Sequence, residues 1–201
     1  MSSKDEDVVD LKRRCFLLKA TTAVGGVGIA AASVPFISYW MPSAEAEAEA
    51  RPIKVDISQL QPTQQLTVVW RGKPIWVIRR TQDMLDTLGK VTDELRDPLS
   101  EDDQQPPYAK NEYRSIKPEF FVAVGICTHL GCIPNYRPDK GGISPDWLGG
   151  FYCPCHGSKY DLAGRVYKNV PAPKNLIIPP YMYLSDNEIE IGTDKEGTEL
   201  E

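Results

Sequence analysis

The chain has 201 residues, of which 41% are hydrophobic and 25% are charged. This length and composition suit one modest domain with its own core, plus an appendage. The formal net charge at pH 7 is −5. An acidic chain is a poor ligand for the phosphate backbone, so nucleic-acid binding is disfavoured as its function.

The N-terminal fifth of the chain contains an apolar segment. Residues 20–44 carry no charge and are rich in Ala, Val, Gly and Ile. As a helix, residues 20–41 would measure about 33 Å, enough to cross the hydrocarbon core of a bilayer. The basic residues before this segment predict, by the positive-inside rule, that residues 1–19 are cytoplasmic and the remainder lies outside.

Arg13 and Arg14, followed by Cys-Phe-Leu, are typical of a twin-arginine export signal, which serves proteins that cross the membrane folded. The alternative is that two arginines merely flank a membrane helix. A further alternative is cleavage, because Ala44-Glu45-Ala46 resembles a signal-peptidase site. The apolar stretch exceeds the usual signal core of about 7 to 15 residues, so its length permits an uncleaved anchor.

A linker follows in residues 42–52. Alanine and glutamate alternate from Ala44 to Ala50, and Arg51-Pro52 follow. Charge repulsion predicts an extended or partly helical segment, and the proline ends any helix. A functional hinge and a passive spacer are both compatible with these residues.

Beyond the linker, the chain predicts a mainly β fold, an antiparallel sandwich or small barrel. Short alternating or β-branched runs separated by Gly and Pro predict strands at 53–57, 66–70, 75–79, 120–126, 150–152, 165–167, 176–178, 182–184 and 188–191. A helix is predicted at 81–88 with Thr81 as its cap. The polar, acidic stretch 90–113 predicts a surface insertion with a second helical piece near 91–95.

Two short clusters contain both histidines of the chain and four of its five cysteines. They are Cys127-Thr-His129-Leu-Gly-Cys132 and Cys153-Pro-Cys155-His156-Gly-Ser158. Each mixes one Cys with one His instead of repeating the Cys-x2-Cys or His-x3-His pairs of structural zinc sites. Two cysteines and two histidines are the ligands of an iron–sulfur centre in which histidines replace cysteines on one iron. Zinc binding and a fortuitous loop cluster are the alternatives.

These clusters, the second extended by Tyr160-Asp161, closely resemble the two cluster-binding loops of the Rieske subunit of quinol:cytochrome c oxidoreductases. The resemblance implies that Cys127 and Cys153 bind the inner iron of one [2Fe–2S] cluster. It likewise implies that His129 and His156 bind the outer iron. Cys132 and Cys155 would form a disulfide that joins the loops.

The resemblance also implies roles for residues around the ligands. His156 would be the catalytic residue that receives a hydrogen bond from quinol. Ser158 and Tyr160 would donate hydrogen bonds to a bridging sulfide and a cysteine sulfur, although an ordinary turn residue and a half-buried aromatic are the alternatives. Val170 stands where the family commonly has a glycine before Pro-Ala-Pro, so a local backbone difference is expected. The rim that docks on a membrane partner would comprise Leu130, Gly131, Pro154, Gly157 and Pro171.

At the level of the whole protein, the resemblance implies a β-sandwich head at 53–201 with a cluster lobe near 127–168. The function expected is electron transfer from quinol to cytochrome c1 within a dimeric cytochrome bc1 complex, with cytochrome b as the second partner. The head would lie in the periplasm, anchored in the bacterial inner membrane by a single helix. The alternatives are the Rieske subunit of a periplasmic arsenite oxidase and a zinc-stabilised interaction module.

Overall fold

The computed structural model describes residues 10–195 of the chain, apart from the side chain of Glu47. The chain divides into two compact units, Met1–Glu47 and Ala48–Glu201, and each is described by itself. Residues 1–9 of the predicted cytoplasmic segment and residues 196–201 of the predicted head lie outside the described residues.

Helix α1, Leu11–Tyr39, dominates the first unit. It begins where the Asp10 side chain accepts hydrogen bonds from the backbone N–H groups of Lys12 and Arg13. Arg13 and Arg14 therefore lie in its first turn, with exposed side chains. None of its described side chains is buried.

The composition of α1 suits an apolar environment. Among the described residues, the segment Leu11–Ala46 has a window with a mean hydropathy of 1.6, and its length suffices to span a membrane. The hydroxyls of Thr21, Thr22 and Ser33 each donate to a carbonyl four residues earlier at 2.8 Å, so these polar groups are satisfied within the helix. The short helix α2, Ala44–Glu49, lies in the predicted linker.

The described part of the second unit contains nine short strands and one regular α-helix beyond the linker, joined by long loops. The strands are β1 (Ile53–Asp56), β2 (Gln65–Trp70), β3 (Lys73–Arg79), β4 (Phe120–Val124), β5 (Asn135–Arg137), β6 (Gly150–Tyr152), β7 (Lys159–Tyr160), β8 (Tyr181–Tyr183) and β9 (Glu188–Ile191). They form three antiparallel sheets with the orders β1-β9-β8, β2-β3-β4 and β5-β6-β7. The expected mainly β fold with one N-terminal apolar helix is confirmed.

The first two sheets share one hydrophobic core. Strand β3 is the centre of its sheet, and its residues Ile75, Trp76, Val77 and Ile78 are all buried. Strands β2 and β3 are joined at Arg71 and Gly72, whose φ values of 51° and 67° fit the tight turn of a hairpin. The third sheet belongs to the predicted cluster lobe. Phe151 of β6 stacks on Trp76 at 5.1 Å between ring centroids, which attaches this lobe to the larger core.

Helix α3, Gln82–Leu88, follows the predicted cap. Thr81 Oγ1 accepts a hydrogen bond from the Met84 backbone N–H at 3.3 Å, and Met84 and Leu88 are buried. The predicted second helical piece is a 3-10 helix, Gly89–Glu94, and another short 3-10 helix spans Pro107–Ala109.

Two predicted strands are wrong. Residues 165–167 contribute only isolated bridges, through Val166 and Tyr167. Residues 176–178 form no strand, because their backbone groups bind three separate loop or strand partners: Leu176 N–H donates to Gly164, Val124 N–H donates to Ile177, and Ile178 N–H donates to Gln104. These apolar runs are buried, and burial without a continuous ladder partner produces the same pattern as a strand. Conversely, β5 and β7 are too short for alternation to reveal.

Candidate metal centre

The two cysteine–histidine clusters occupy loops with the same hydrogen-bonding pattern. In the first loop, between β4 and β5, the Cys127 N–H donates to Cys132 O at 2.7 Å, and the Gly131 N–H donates to Cys127 O at 3.1 Å. In the second loop, between β6 and β7, the Cys153 N–H donates to Ser158 O at 2.8 Å, and the Gly157 N–H donates to Cys153 O at 2.9 Å. The two loops therefore present their first cysteines in similar conformations.

Glycine is required at the fifth position of each loop. Gly131 has a φ of 81° and Gly157 has a φ of 76°. Residues with a Cβ rarely adopt this left-handed backbone conformation. This explains the Gly in both motifs.

The two free cysteines of the head lie inside the loops. Cys127 and Cys153 are each 2% exposed. Burial, together with the neighbouring Cys127 thiol, raises the pKa of Cys153. Two adjacent buried thiols therefore need a cation to become thiolates, which is what a metal centre supplies.

The two histidines lie next to one another and farther out. Their ring centroids are 4.8 Å apart with the ring planes at 89°. His129 is half-buried and His156 is exposed. The site thus has sulfur donors inside and imidazole donors toward solvent. Sequence spacing cannot reveal which histidine is the more exposed.

A disulfide joins the two loops. Cys132 and Cys155 are bonded to each other, the pair that the resemblance implies. The Cys153 Sγ lies within 4.8 Å of both of these sulfurs. A disulfide sulfur is not a thiolate, so this trio offers only one anionic ligand. The donor set that fits a metal centre is therefore the two free thiols and the two imidazoles.

Tyr160 contacts one of the buried thiols. Its hydroxyl lies 3.2 Å from Cys127 Sγ and accepts a hydrogen bond from the Thr128 N–H at 3.1 Å. The Thr128 hydroxyl donates to Lys174 O at 2.7 Å, so its 3.1 Å contact with the Tyr160 hydroxyl can use only the tyrosine proton. Cys127 Sγ and Thr128 Oγ1 thus compete for this proton. Sequence reasoning missed Thr128, whose one signal is its place between Cys127 and His129.

Ser158 is fully buried and makes a bond that the sequence does not indicate. Its Oγ accepts a hydrogen bond from the Ala172 N–H at 3.1 Å. This bond leaves the hydroxyl proton of Ser158 for another acceptor. Ser158 therefore connects the second cysteine loop to the Pro171-Ala172-Pro173 segment.

The entry to this proline segment does not need a left-handed conformation at Val170. The left-handed residue is Asn169, with a φ of 58°, and Val170 is not among the residues with positive φ. Asparagine tolerates this conformation better than a β-branched residue does. The left-handed residue at this entry therefore lies one position before Val170.

The five residues of the predicted docking rim all lie on the outside of the loops. Leu130 is 71% exposed, and Gly131, Pro154 and Pro171 are also exposed, while Gly157 is half-buried. The exposed Leu130 therefore adds an apolar surface next to the imidazoles of His129 and His156.

Models of known protein families match this chain, and one of them covers both cysteine–histidine loops. A family model described as "Rieske [2Fe-2S] domain" matches residues 53–181. The chain belongs to the Rieske family. A second model, described as "Ubiquitinol-cytochrome C reductase Fe-S subunit TAT signal", matches residues 3–43. Two buried thiols beside two imidazoles fit the Cys2His2 ligands of a Rieske cluster, and the expected cofactor is confirmed. The zinc alternative is therefore rejected.

Several Rieske proteins are similar along most of this chain. Three are named "Ubiquinol-cytochrome c reductase iron-sulfur subunit". The protein of Allochromatium vinosum is 54% identical and aligns over 93% of this chain and 91% of its own length. The protein of Bradyrhizobium diazoefficiens is 43% identical and aligns over 90% of this chain and 94% of its own length. The protein of Rhodospirillum rubrum is 44% identical and aligns over 90% of this chain and 91% of its own length. A chain of a solved "Hyperthermophilic respiratory Complex III" has 29% identity, with a TM-score of 0.47, 87% of this chain covered and 98% of that one. The curated relatives favour this subunit over that of an arsenite oxidase.

Proposed function

We propose that the protein is the electron-transfer subunit of a quinol:cytochrome c oxidoreductase of the cytochrome bc1 type. The observation that carries the proposal is the pair of buried thiols beside two outward imidazoles, on loops joined by a disulfide. The curated relatives with 54%, 44% and 43% identity all have the name of this subunit.

In this proposal Cys127 and Cys153 would hold one iron, and His129 and His156 would hold the other. A bound cluster would supply one-electron chemistry at a raised potential, because two neutral imidazoles replace two thiolates. Burial of both cysteines supports their place on the inner iron. Tyr160 stabilises the sulfur of Cys127 by donating its hydroxyl proton to it.

His156 takes the proton from quinol. Its exposed imidazole has one nitrogen for iron and a second that accepts a hydrogen bond from the quinol hydroxyl. One proton would move to that nitrogen as one electron passes from the quinol to the bound cluster, so the quinol would lose the equivalent of one hydrogen atom. The exposed rim at Leu130, Gly131, Pro154, Gly157 and Pro171 excludes water by docking on cytochrome b, and cytochrome c1 then receives the electron.

Helix α1 anchors the protein in the bacterial inner membrane in this proposal. Residues 1–19 lie in the cytoplasm, 20–41 span the bilayer, 42–52 form a hinge and the head at 53–201, with its cluster lobe near 127–168, lies in the periplasm. The twin-arginine signal model at residues 3–43 supports export of a folded head. The disulfide supports an oxidising compartment. The working assembly is a dimeric complex.

An EPR-monitored redox titration of the full-length protein in detergent, at about pH 6 and about pH 9, tests this function. We expect a positive potential that falls as pH rises, because an imidazole gains a proton when the cluster gains an electron. The matched control is Cys15→Ser, which removes the exposed fifth cysteine and should change nothing. A strongly negative, pH-independent potential would contradict quinol oxidation, and co-purification with a molybdenum subunit instead of haem subunits would contradict the partner.

A further inference from the structure

The most deeply buried charged side chains of the head are more often positive than negative. Arg80, Arg114 and Arg165 are each at most 2% exposed, and Asp161 is the only equally buried carboxylate among the described residues. Arg165 is paired with Asp161 at 2.7 Å. Two further carboxylates lie in the interior: Asp194 is 8% exposed and interacts with Tyr108, and Asp97 is half-buried.

Arg80 and Arg114 bind neutral groups only. Arg80 donates to the carbonyls of Tyr113, Pro118 and Leu162 and to Ser115 Oγ, at 2.8 to 3.1 Å. Arg114 donates to the carbonyls of Ala163 and Gly164 at 3.3 Å and to Gln105 Oε1 at 2.8 Å. Neither forms an ion pair among the described residues. Burial lowers the pKa of Arg80 to about 10 and that of Arg114 to about 9, which leaves both protonated at neutral pH.

Both guanidinium groups bind the turn that follows Tyr160. Leu162, Ala163 and Gly164 supply three consecutive carbonyls to them. On the other side, Arg80 lies 5.2 Å from the ring centroid of Phe121, and Phe121 contacts Phe151 at 5.9 Å. Phe151 in turn pairs with Tyr160 across β6 and β7.

The two arginines are therefore connected to the cluster site through packed, buried side chains. Tyr160 reaches Cys127 Sγ at 3.2 Å. Charges in a low-dielectric interior act at longer range than exposed ones, which water and salt screen. An added electron on the cluster is a negative charge, and a fixed positive charge in the same interior stabilises it.

We propose that Arg80 and Arg114, buried and without an ion pair, supply interior positive charge that raises the reduction potential of the cluster. They are positioning residues, since they touch neither quinol nor the ligands. This inference rests on the proposed function, because it supplies a further reason why the centre accepts electrons readily. Their bonds to the turn after Tyr160 are a structural role that the test must separate from the charge.

The test compares midpoint potentials of full-length holoprotein variants in detergent by EPR-monitored titration. In Arg80→Gln and Arg114→Gln we expect the equilibrium constant for reduction to fall several-fold, because one unit of positive charge is removed from the protein interior. Arg114→Lys keeps the charge and should keep most of the potential. The matched control is Arg79→Gln, which removes a half-buried arginine from its ion pair with the solvent-accessible Glu119 and should leave the potential unchanged.

A variant with the opposite expected effect on the potential tests the inference even if the arginine variants misfold. Asp161→Asn removes the buried negative charge but retains an oxygen for the N–H groups of Ala163 and Arg165. We expect it to raise the potential. Unchanged potentials in Arg114→Gln and Asp161→Asn, with the cluster retained, would overturn the inference. So would an equal fall in Arg114→Lys and Arg114→Gln, because the turn and not the charge would then be responsible. A wild-type protein without a high-potential cluster would instead contradict the proposed function.

Discussion

At the scale of single residues, the hydroxyl proton of Tyr160 determines much of the environment of Cys127 Sγ. The Tyr160 hydroxyl can donate to Cys127 Sγ or to Thr128 Oγ1, which lie at 3.2 and 3.1 Å. A thiolate bound to iron is an anionic acceptor and a threonine oxygen is neutral, so metal binding draws the proton to sulfur. Tyr160 is therefore poised to stabilise the more negative, reduced cluster.

Replacing Tyr160 by phenylalanine should lower the potential while the cluster remains assembled. Loss of one hydrogen bond worth about 1 kcal/mol corresponds to roughly 40 mV for a one-electron couple. The measurement is a redox titration at fixed pH. Tyr136→Phe is the control, because the Tyr136 hydroxyl is buried and has no hydrogen-bond partner in the described part of the chain. Equal potentials in Tyr160→Phe and the wild type would contradict the role of this hydroxyl.

At the scale of elements, the two cysteine loops depend on the small sheet that carries them. Strand β6 lies between β5 and β7, and Gly150 begins it with a φ of 149°. A Cβ at Gly150 would lie 2.0 Å from Tyr160 O, a backbone atom that cannot move aside without disturbing β7. Close approach of these strands thus requires glycine and places Tyr160 beside the site.

The variant Gly150→Ala should destabilise the head by several kcal/mol, because it combines a disallowed φ with a backbone overlap. Thermal unfolding followed by circular dichroism measures the loss. Gly89→Ala provides the control: Gly89 has a φ of −69° and open space around its Cβ position, so this change should be neutral or stabilising by about 0.5 kcal/mol. Equal melting temperatures in the two variants would argue against the close approach.

The disulfide acts between these loops. Cys132 and Cys155 are separated by 23 positions and bridge loops that hold one thiol and one imidazole each. Reduction should release the loops before it unfolds the larger core, because most of the buried apolar side chains lie in the other two sheets. We expect the EPR signal of the cluster to be lost at reductant concentrations that leave the far-ultraviolet circular dichroism unchanged. Simultaneous loss of both signals would show that the head unfolds as one unit.

At the scale of the whole molecule, the head contains many buried ionisable groups. Burial raises the pKa of six tyrosines above the ordinary value of 10.0, namely Tyr108, Tyr136, Tyr160, Tyr167, Tyr181 and Tyr183. For Tyr181 the pKa is about 12. The native state therefore keeps phenol protons that the unfolded chain releases in alkali.

The stability of the head should accordingly fall as the pH rises above about 10. Below this pH the tyrosines are protonated in both states and contribute no pH dependence. Above it the unfolded chain binds fewer protons, so unfolding becomes more favourable. The lowered pKa values of Arg80 and Arg114 act in the opposite direction, but the tyrosines outnumber them. Tyrosinate absorbance should rise together with loss of circular dichroism, and a rise that precedes unfolding would contradict this expectation.

The sequence by itself determined the donor groups of the centre and the apolar N-terminal helix. Cysteine and histidine at fixed short spacing supply sulfur and imidazole donors, and an uncharged stretch over twenty residues long selects an apolar environment; both are local properties. Only the tertiary structure decided that His156 is more exposed than His129, that Thr128 competes for the Tyr160 proton and that two arginines lie unpaired in the interior. The strand predictions at 165–167 and 176–178 were wrong because strand pairing, too, depends on the tertiary structure. Exposure, proton sharing, strand pairing and charge compensation depend on residues distant in the chain, and only folding brings these together.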